Sequence, residues 1–185
     1  MLVFRPADGN EVSGAYAAAM KNRTGPSVIA LSRQSLPNLA TSSVENTLRG
    51  GYIAHESSAD GSESKSGEPD LVIVATGSEV GIAIEGANKM EGVSVRVVSM
   101  PCLELWDQQD AAYRHSIIPP GVPVLSVEAS ATWGWERYAH AHVGLKEFGR
   151  SGPYLEVYKF FGITGDGVAA KGGKMVEYYK SNPVP

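Results

Sequence analysis

Cysteine is almost missing from this chain: Cys102 is the only one in 185 residues. A lone cysteine excludes an internal disulfide framework and fits a reducing compartment, so a cytoplasmic location is expected. Its place directly after Pro101 reads as a small packed residue rather than a nucleophile. No apolar run approaches the ~20 residues that a helical membrane span needs. No charged-then-apolar leader opens the chain, so no secretory signal is read and no membrane partner is expected. A basic excess is also lacking. The formal net charge is −4, with 16 Lys and Arg against 20 Asp and Glu, which argues against a nucleic-acid partner. Metal-ligand spacing is absent as well. His55 and His115 are isolated, and His140 and His142, two apart, would face different sides of a helix. No metal held by this chain is predicted.

What is present is a core. Hydrophobic residues make up 43% of the chain, enough for one domain, or one domain and a piece of another. Met1 to Phe4 reads as the end of a strand. Asp8 caps a following helix, with Glu11 three residues on in a capping-box arrangement. Val12, Ala15, Tyr16, Ala19 and Met20 give that helix an apolar stripe. Ser27 to Leu31, bounded by Pro26, reads as a fully buried strand. Residues 1–31 are thus a βαβ crossover with a truncated first strand, which looks like the tail of a domain. Residues 39–51 are polar and mixed, Tyr52 to His55 fits a short strand, and Glu56 to Pro69 has the composition of an exposed Ser/Gly/acid-rich loop. A second α/β unit begins at Asp70. Strands are predicted at 71–76, 93–98 and 124–127. Helices are predicted after Gly77-Ser78, over 107–116, over a stripe of Trp135, Tyr138, Ala139, His142 and Val143, and from Thr164 onward. Residues 154–161 read as a fourth strand or an irregular apolar segment. The alternation predicts a three-layer α/β sandwich with a mainly parallel, mixed sheet. Residues 1–50, 51–68 and 69–185 are expected to be an incomplete unit, a linker and a complete domain.

Four motifs are candidates for chemistry. Arg33, in Ser32-Arg33-Gln34 at the carboxyl end of a strand, can clamp a phosphate or carboxylate with its planar fork. It can equally be a surface arginine paired with a local carboxylate. Gly77-Ser-Glu-Val-Gly-Ile fails the dinucleotide fingerprint, because Glu79 stands where glycine is required. The amides at Gly77 and Ser78 remain a candidate small-anion site, against an ordinary turn in which Ser78 caps the helix. Glu128 at a strand end is either one half of an acid–base pair with a histidine or a buried, hydrogen-bonded glutamate. Gly165-Asp166-Gly167 looks like a diphosphate–metal motif, but Thr164 as a cap with Asp166 in the first turn accounts for it.

Several strings together resemble one family. They are Phe4-Arg-Pro-Ala-Asp-Gly-Asn-Glu-Val12, Ile29-Ala-Leu-Ser-Arg-Gln34 with Leu36-Pro37, Gly50-Gly-Tyr52, Val74-Ala-Thr-Gly-Ser-Glu-Val80, Val95-Arg-Val-Val-Ser-Met-Pro101, Gly134-Trp-Glu-Arg-Tyr-Ala-His140 and Phe161-Gly-Ile-Thr164. The chain is similar to the last third of transketolases, most of all fungal ones. The resemblance implies that residues 1–50 are the end of the pyrimidine-binding domain and residues 69–185 the C-terminal domain. It implies that Arg33 binds the phosphate of a sugar substrate, and that the full-length protein is a homodimeric transferase of the pentose phosphate pathway. That protein would use thiamine diphosphate with magnesium or calcium. Catalytic, cofactor-binding and metal-binding residues of the family lie upstream of this sequence, so the chain alone is expected to be inactive. Two other readings stand beside this one. The first is a stand-alone transketolase-like binding or assembly module. The second is a piece of a related thiamine enzyme, such as a pyruvate dehydrogenase β chain or deoxyxylulose phosphate synthase. The Ser-Arg-Gln string speaks against the latter.

Overall fold

The computed structural model describes residues 1–59 and 68–185. The core of the loop expected at 56–69 lies outside the described residues. The chain opens with β1 (Leu2–Phe4), α1 (Gly9–Lys21) and β2 (Ser27–Ile29), and β1 and β2 pair in parallel. This is the expected βαβ crossover. Asp8 caps α1 by accepting from the Glu11 amide at 2.9 Å, as its place before the helix predicts.

Two expectations fail in this segment. The second strand is three residues long and not buried, with Val28 45% and Leu31 57% exposed. A two-stranded sheet covers such a strand on one face only. The apolar stripe of α1 is also misassigned. Gly14, Ala15 and Ala18 face inward, while Tyr16 and Met20 are exposed. Small residues win the inner face because α2 (Val44–Leu48) crosses close by. A Cβ on Gly14 would lie 2.4 Å from the Thr47 side chain. The sequence did not foretell α2, since five residues are too few to show a helical period. Ser43 nevertheless caps it through the Asn46 amide at 3.0 Å.

The larger sheet has five strands in the order β3-β5-β4-β6-β7, from β3 (Tyr52–Ser57), β4 (Leu71–Ala75), β5 (Val95–Ser99), β6 (Val124–Ala131) and β7 (Ala141–Leu145). Only the β3–β5 pair is antiparallel. The stretch read as a linker at 51–68 therefore supplies an edge strand. Tyr52 and Ala54 are buried and Ile53 and His55 half-buried, an alternation that a paired edge allows. Strand β4 sits at the centre and is fully buried along its length. Leu71, Ile73 and Ala75 enter one core with Val80, Ala83 and Ala87 of α3 (Glu79–Asn88) and with Val168 and Met175 of α7 (Gly165–Tyr179). Val72 and Val74 enter the other, with Trp106 of α4 (Leu103–Asp107) and Ile117 of α5 (Ala111–Ile117). The period-two alternation of β4 thus feeds both outer layers of the sandwich.

Three helix assignments need correction. The helix expected over 107–116 is α5 and starts later, at Ala111, because Asp110 caps it by accepting from the Tyr113 amide at 2.7 Å, and the short α4 before it is unexpected. The stripe from Trp135 to Val143 is not a helix. Trp135–Arg137 form one 3-10 turn, and β7 then pairs with β6, with Ala141 opposite Leu125 and Val143 opposite Val127. Over so short a stretch the spacing fits both periods, and the open edge of β6 decides between them. Tyr154–Phe161 form a helix, α6, despite an aromatic and β-branched composition that suits a strand. Pro153 starts it, and Gly162 stops it in the left-handed region at φ 70°. Among the described residues no helix is long and apolar enough to cross a membrane.

The α3–α7 contact depends on a missing side chain. A Cβ on Gly86 would lie 2.5 Å from Val168, whereas one on Gly81 would meet nothing within 4 Å. Gly86→Ala is expected to destabilise the fold by about 1–3 kcal/mol through overpacking. Gly81→Ala is expected to stabilise it by up to about 1 kcal/mol through helix propensity. Urea denaturation of the two variants checks both signs.

Candidate functional site

The carboxyl ends of β1, β4 and β6 converge, and Arg5 stands at the centre. Its backbone carbonyl accepts from the Gly77 amide at 2.9 Å, and its own amide donates to Pro101 O at 2.9 Å. These bonds stitch the βαβ segment to the five-stranded sheet. The Arg5 guanidinium then spans two carboxylates. Nη1 donates to Glu128 Oε1, and Nη2 donates to Glu79 Oε2 at 3.3 Å. Glu79 is fully buried. It also accepts from Ser78 Oγ at 2.6 Å and from Tyr158 Oη at 2.8 Å. Glu128 also accepts from Thr76 Oγ1 at 2.9 Å and from Trp135 Nε1 at 2.7 Å. Burial, followed by the Glu79 charge, pushes the Tyr158 hydroxyl up to about 12.

Glu128 is therefore a hydrogen-bonded glutamate, not half of an acid–base pair. His140 and His142 are turned to β6 instead. His140 Nδ1 accepts from the Val124 amide at 2.9 Å, and His142 Nδ1 lies 2.8 Å from Ser126 Oγ.

A second carboxylate knot lies beside the first. Glu11 is fully buried. It accepts from Tyr52 Oη at 2.7 Å, Ser99 Oγ at 2.6 Å and the Ala7 amide at 2.6 Å. Burial raises the Glu11 carboxyl, and the three hydrogen bonds pull the other way. Its partners come from the turn before α1, from β3 and from β5, so this knot also ties the first segment to the sheet. The sequence reading assigned Glu11 to capping alone. The donors that make it a tertiary anchor are 41 and 88 residues away.

Arg33 projects from the strap that follows β2. It is exposed and forms no ion pair among the described residues. Gln34, Ser35 and Leu36 form one wall of a groove of about 390 Å³, with Ser78, Ile82 and Tyr158 across from them. The strap thus lies at the same carboxyl ends as Arg5.

Gly77 and Ser78 offer an anion little. Gly77 takes a left-handed conformation at φ 55°, and its amide is committed to Arg5 O. The Glu79 amide donates to Thr76 O and the Val80 amide to Gly77 O, both at 3.2 Å. The buried Glu79 carboxylate adds a negative charge beside them. Ser78 does not cap α3 with its side chain, because its hydroxyl is given to Glu79.

The Gly165-Asp166-Gly167 triplet does not fit a metal diphosphate. Thr164 Oγ1 caps α7 through the Gly167 amide at 3.1 Å, and Asp166 pairs with Lys89 at 2.7 Å. A Cβ on Gly167 would fall 2.1 Å from Gly162 O, so close packing requires that glycine. Among the described residues no group of three or more His, Cys, Asp or Glu side chains is placed to hold a metal ion. Cys102 is buried, and burial pushes its thiol up to about 12, so it is a packed residue.

Residues 50–164 match a family model described as the transketolase-like TK C-terminal domain. The chain belongs to that family. Transketolase 2 of Saccharomyces cerevisiae is 48% identical over 183 residues, which are 97% of this chain and 26% of that protein. A Pichia stipitis transketolase, solved in complex with sedoheptulose 7-phosphate, superposes with a TM-score of 0.90 at 42% identity, over 99% of this chain and 26% of that one. Transketolase from Leishmania mexicana superposes with a TM-score of 0.91 at 42% identity, over 100% of this chain and 26% of that one. The chain spans about a quarter of the length of these transketolases.

Arg5→Ala would leave buried Glu79 without its countercharge. The expected loss is about 3 kcal/mol, the low end for a broken buried pair, because the Arg5 side chain is 31% exposed. Arg5→Lys should lose less, and urea denaturation of both variants checks the order. Glu11 supplies a pH test. Its raised folded-state value means that its stabilising contribution is full below the usual carboxyl value of 4.5 and is lost as pH rises through the folded value. Glu11→Gln does not titrate, so its stability relative to the parent should improve as pH rises above 4.5. Parallel stability curves from pH 4 to 8 would overturn this reading.

Proposed function

We propose that this chain acts as the C-terminal part of a transketolase, which transfers a two-carbon ketol unit between sugar phosphates, and that Arg33 contributes to binding the sugar phosphate. The observation that carries the reading is the Ser32-Arg33-Gln34 strap. It holds an exposed arginine without a carboxylate partner among the described residues, at the strand ends where α/β folds bind ligands. Sequence identity of 48% to a yeast transketolase and a sugar phosphate bound to the Pichia stipitis relative support it.

In this reading residues 1–50 end a pyrimidine-binding domain and residues 69–185 form the C-terminal domain. Strand β3 joins the sheet of the latter. The exposed Tyr16, Met20, Val28 and Leu31 are covered by the remainder of the first domain, and the assembled protein is a cytoplasmic homodimer. Thiamine diphosphate, with magnesium or calcium, supplies the carbanion chemistry to that protein. Nothing in the Gly165–Gly167 turn fits it. This chain's share of the work is to hold the sugar phosphate and to fix the geometry of the strand ends through Arg5, Glu79 and Glu128.

The test is a graft. Replacing the matching quarter of the yeast enzyme with this chain should give an active transketolase, while the isolated chain with thiamine diphosphate and magnesium should show no ketol transfer. Arg33→Ala in the graft should lower kcat/KM for sugar phosphates by roughly 30-fold or more, the loss of about 2 kcal/mol. Turnover by the isolated chain, or an Arg33→Ala graft with unchanged kcat/KM, would overturn the proposal.

A further inference from the structure

A cleft on the opposite edge of the sheet, between β7, α6 and α7, has no part in the reading above. Its volume is about 490 Å³, and His142, Lys146 and Lys171 line it together with Phe160. The histidine is held in place by its Nδ1 contact with Ser126 Oγ at 2.8 Å. Both lysines act electrostatically on that imidazole, so the three groups share one field. Glu136, which favours the protonated ring, and Glu147 on the cleft wall are also close, and the Arg150 guanidinium covers one face of the Phe160 ring at 3.5 Å. Lys89 and Lys180 each pair with a carboxylate at 3 Å or less. Lys146 and Lys171 share with Lys21, Lys159 and Lys174 the lack of an ion pair among the described residues, but they alone line this cleft with His142. Two unpaired ammonium groups beside a histidine give a concave positive spot on a chain whose net charge is −4.

We propose that this cleft binds a small phosphorylated metabolite, with Lys146 and Lys171 taking the phosphoryl oxygens, His142 adding a third donor, and Phe160 covering the apolar part of the molecule. Lysines are compact point charges with three donors each, and two of them side by side match the charge of a phosphoryl group. The site is separate from Arg33, which follows β2, and it stands whether or not the graft in the preceding section is active.

Titration of the 185-residue chain with inorganic pyrophosphate, followed by calorimetry and by the His142 ring resonances, tests the proposal. Binding should perturb those resonances and weaken with added salt. Lys146→Ala with Lys171→Ala should weaken binding about tenfold or more, since two partly exposed charge contacts are lost. Glu147→Gln, which removes the opposing charge, should tighten binding about threefold. Both lysine heads reach solvent, so circular dichroism of the double variant should match the parent. Four results would overturn the proposal: no binding of pyrophosphate, binding unchanged in the lysine double variant, binding lost in Arg33→Ala instead, or citrate bound as tightly as pyrophosphate.

Discussion

A buried carboxylate must be compensated by hydrogen bonds or a countercharge, and in this chain Glu79 finds its countercharge in Arg5. Glu79 has no exposure to water. Its position is dictated by the turn that follows β4, where the left-handed Gly77 starts α3 directly beneath the strand end. A carboxylate placed there is tolerable only with hydrogen bonds and a cation. Tyr158 supplies one bond from α6, and Arg5 supplies the cation from the first segment. Glu128 completes the pair from β6 and draws in Trp135. One guanidinium thereby sets the relation among β1, β4, β6, the 3-10 turn and α6. The order of the carboxyl ends, where the Ser32-Arg33-Gln34 strap also lies, rests on it.

Glu11 repeats the device with neutral donors. Its three partners satisfy the carboxylate without a cation, and burial raises its proton affinity in consequence. The two knots serve the same mechanical end. They bind a βαβ segment, whose small core of Phe4, Ala15 and Ala18 is shared with Cys102 and Leu105 beyond it, to a sheet with two full cores.

Much of this architecture could be read in advance where local signals and burial agree. The fully apolar Leu71–Ala75 run and the Asp8 and Thr164 caps emerged as the residues imply. The reading failed where local patterns were short or double-valued. Trp135 to Val143 satisfies a helical spacing, yet β6 presents an unpaired edge that only a strand can complete. Tyr154–Phe161 has the composition of a strand and the punctuation of a helix, and the punctuation prevailed. The site was less legible still. Arg33 was visible through its neighbours in the strap. Arg5, Glu79, Tyr158 and Glu128 carry no spacing that links them, for Arg5 and Glu128 alone are 123 residues apart. Two of them left a trace: Glu79 as the acid that spoiled a glycine-rich fingerprint, and Glu128 as a glutamate at a strand end.

What the sequence determined by itself was the class of fold, the kinship with transketolases and the residue at the strap tip. These reside in short contiguous strings whose hydrophobic period, caps and turns act over a few residues. Tertiary structure alone decided which charged groups meet, which edge of β6 recruits β7, and which face of α1 turns inward. Those outcomes follow from desolvation and close packing between distant segments. Their energies exist only once the strands have been brought side by side.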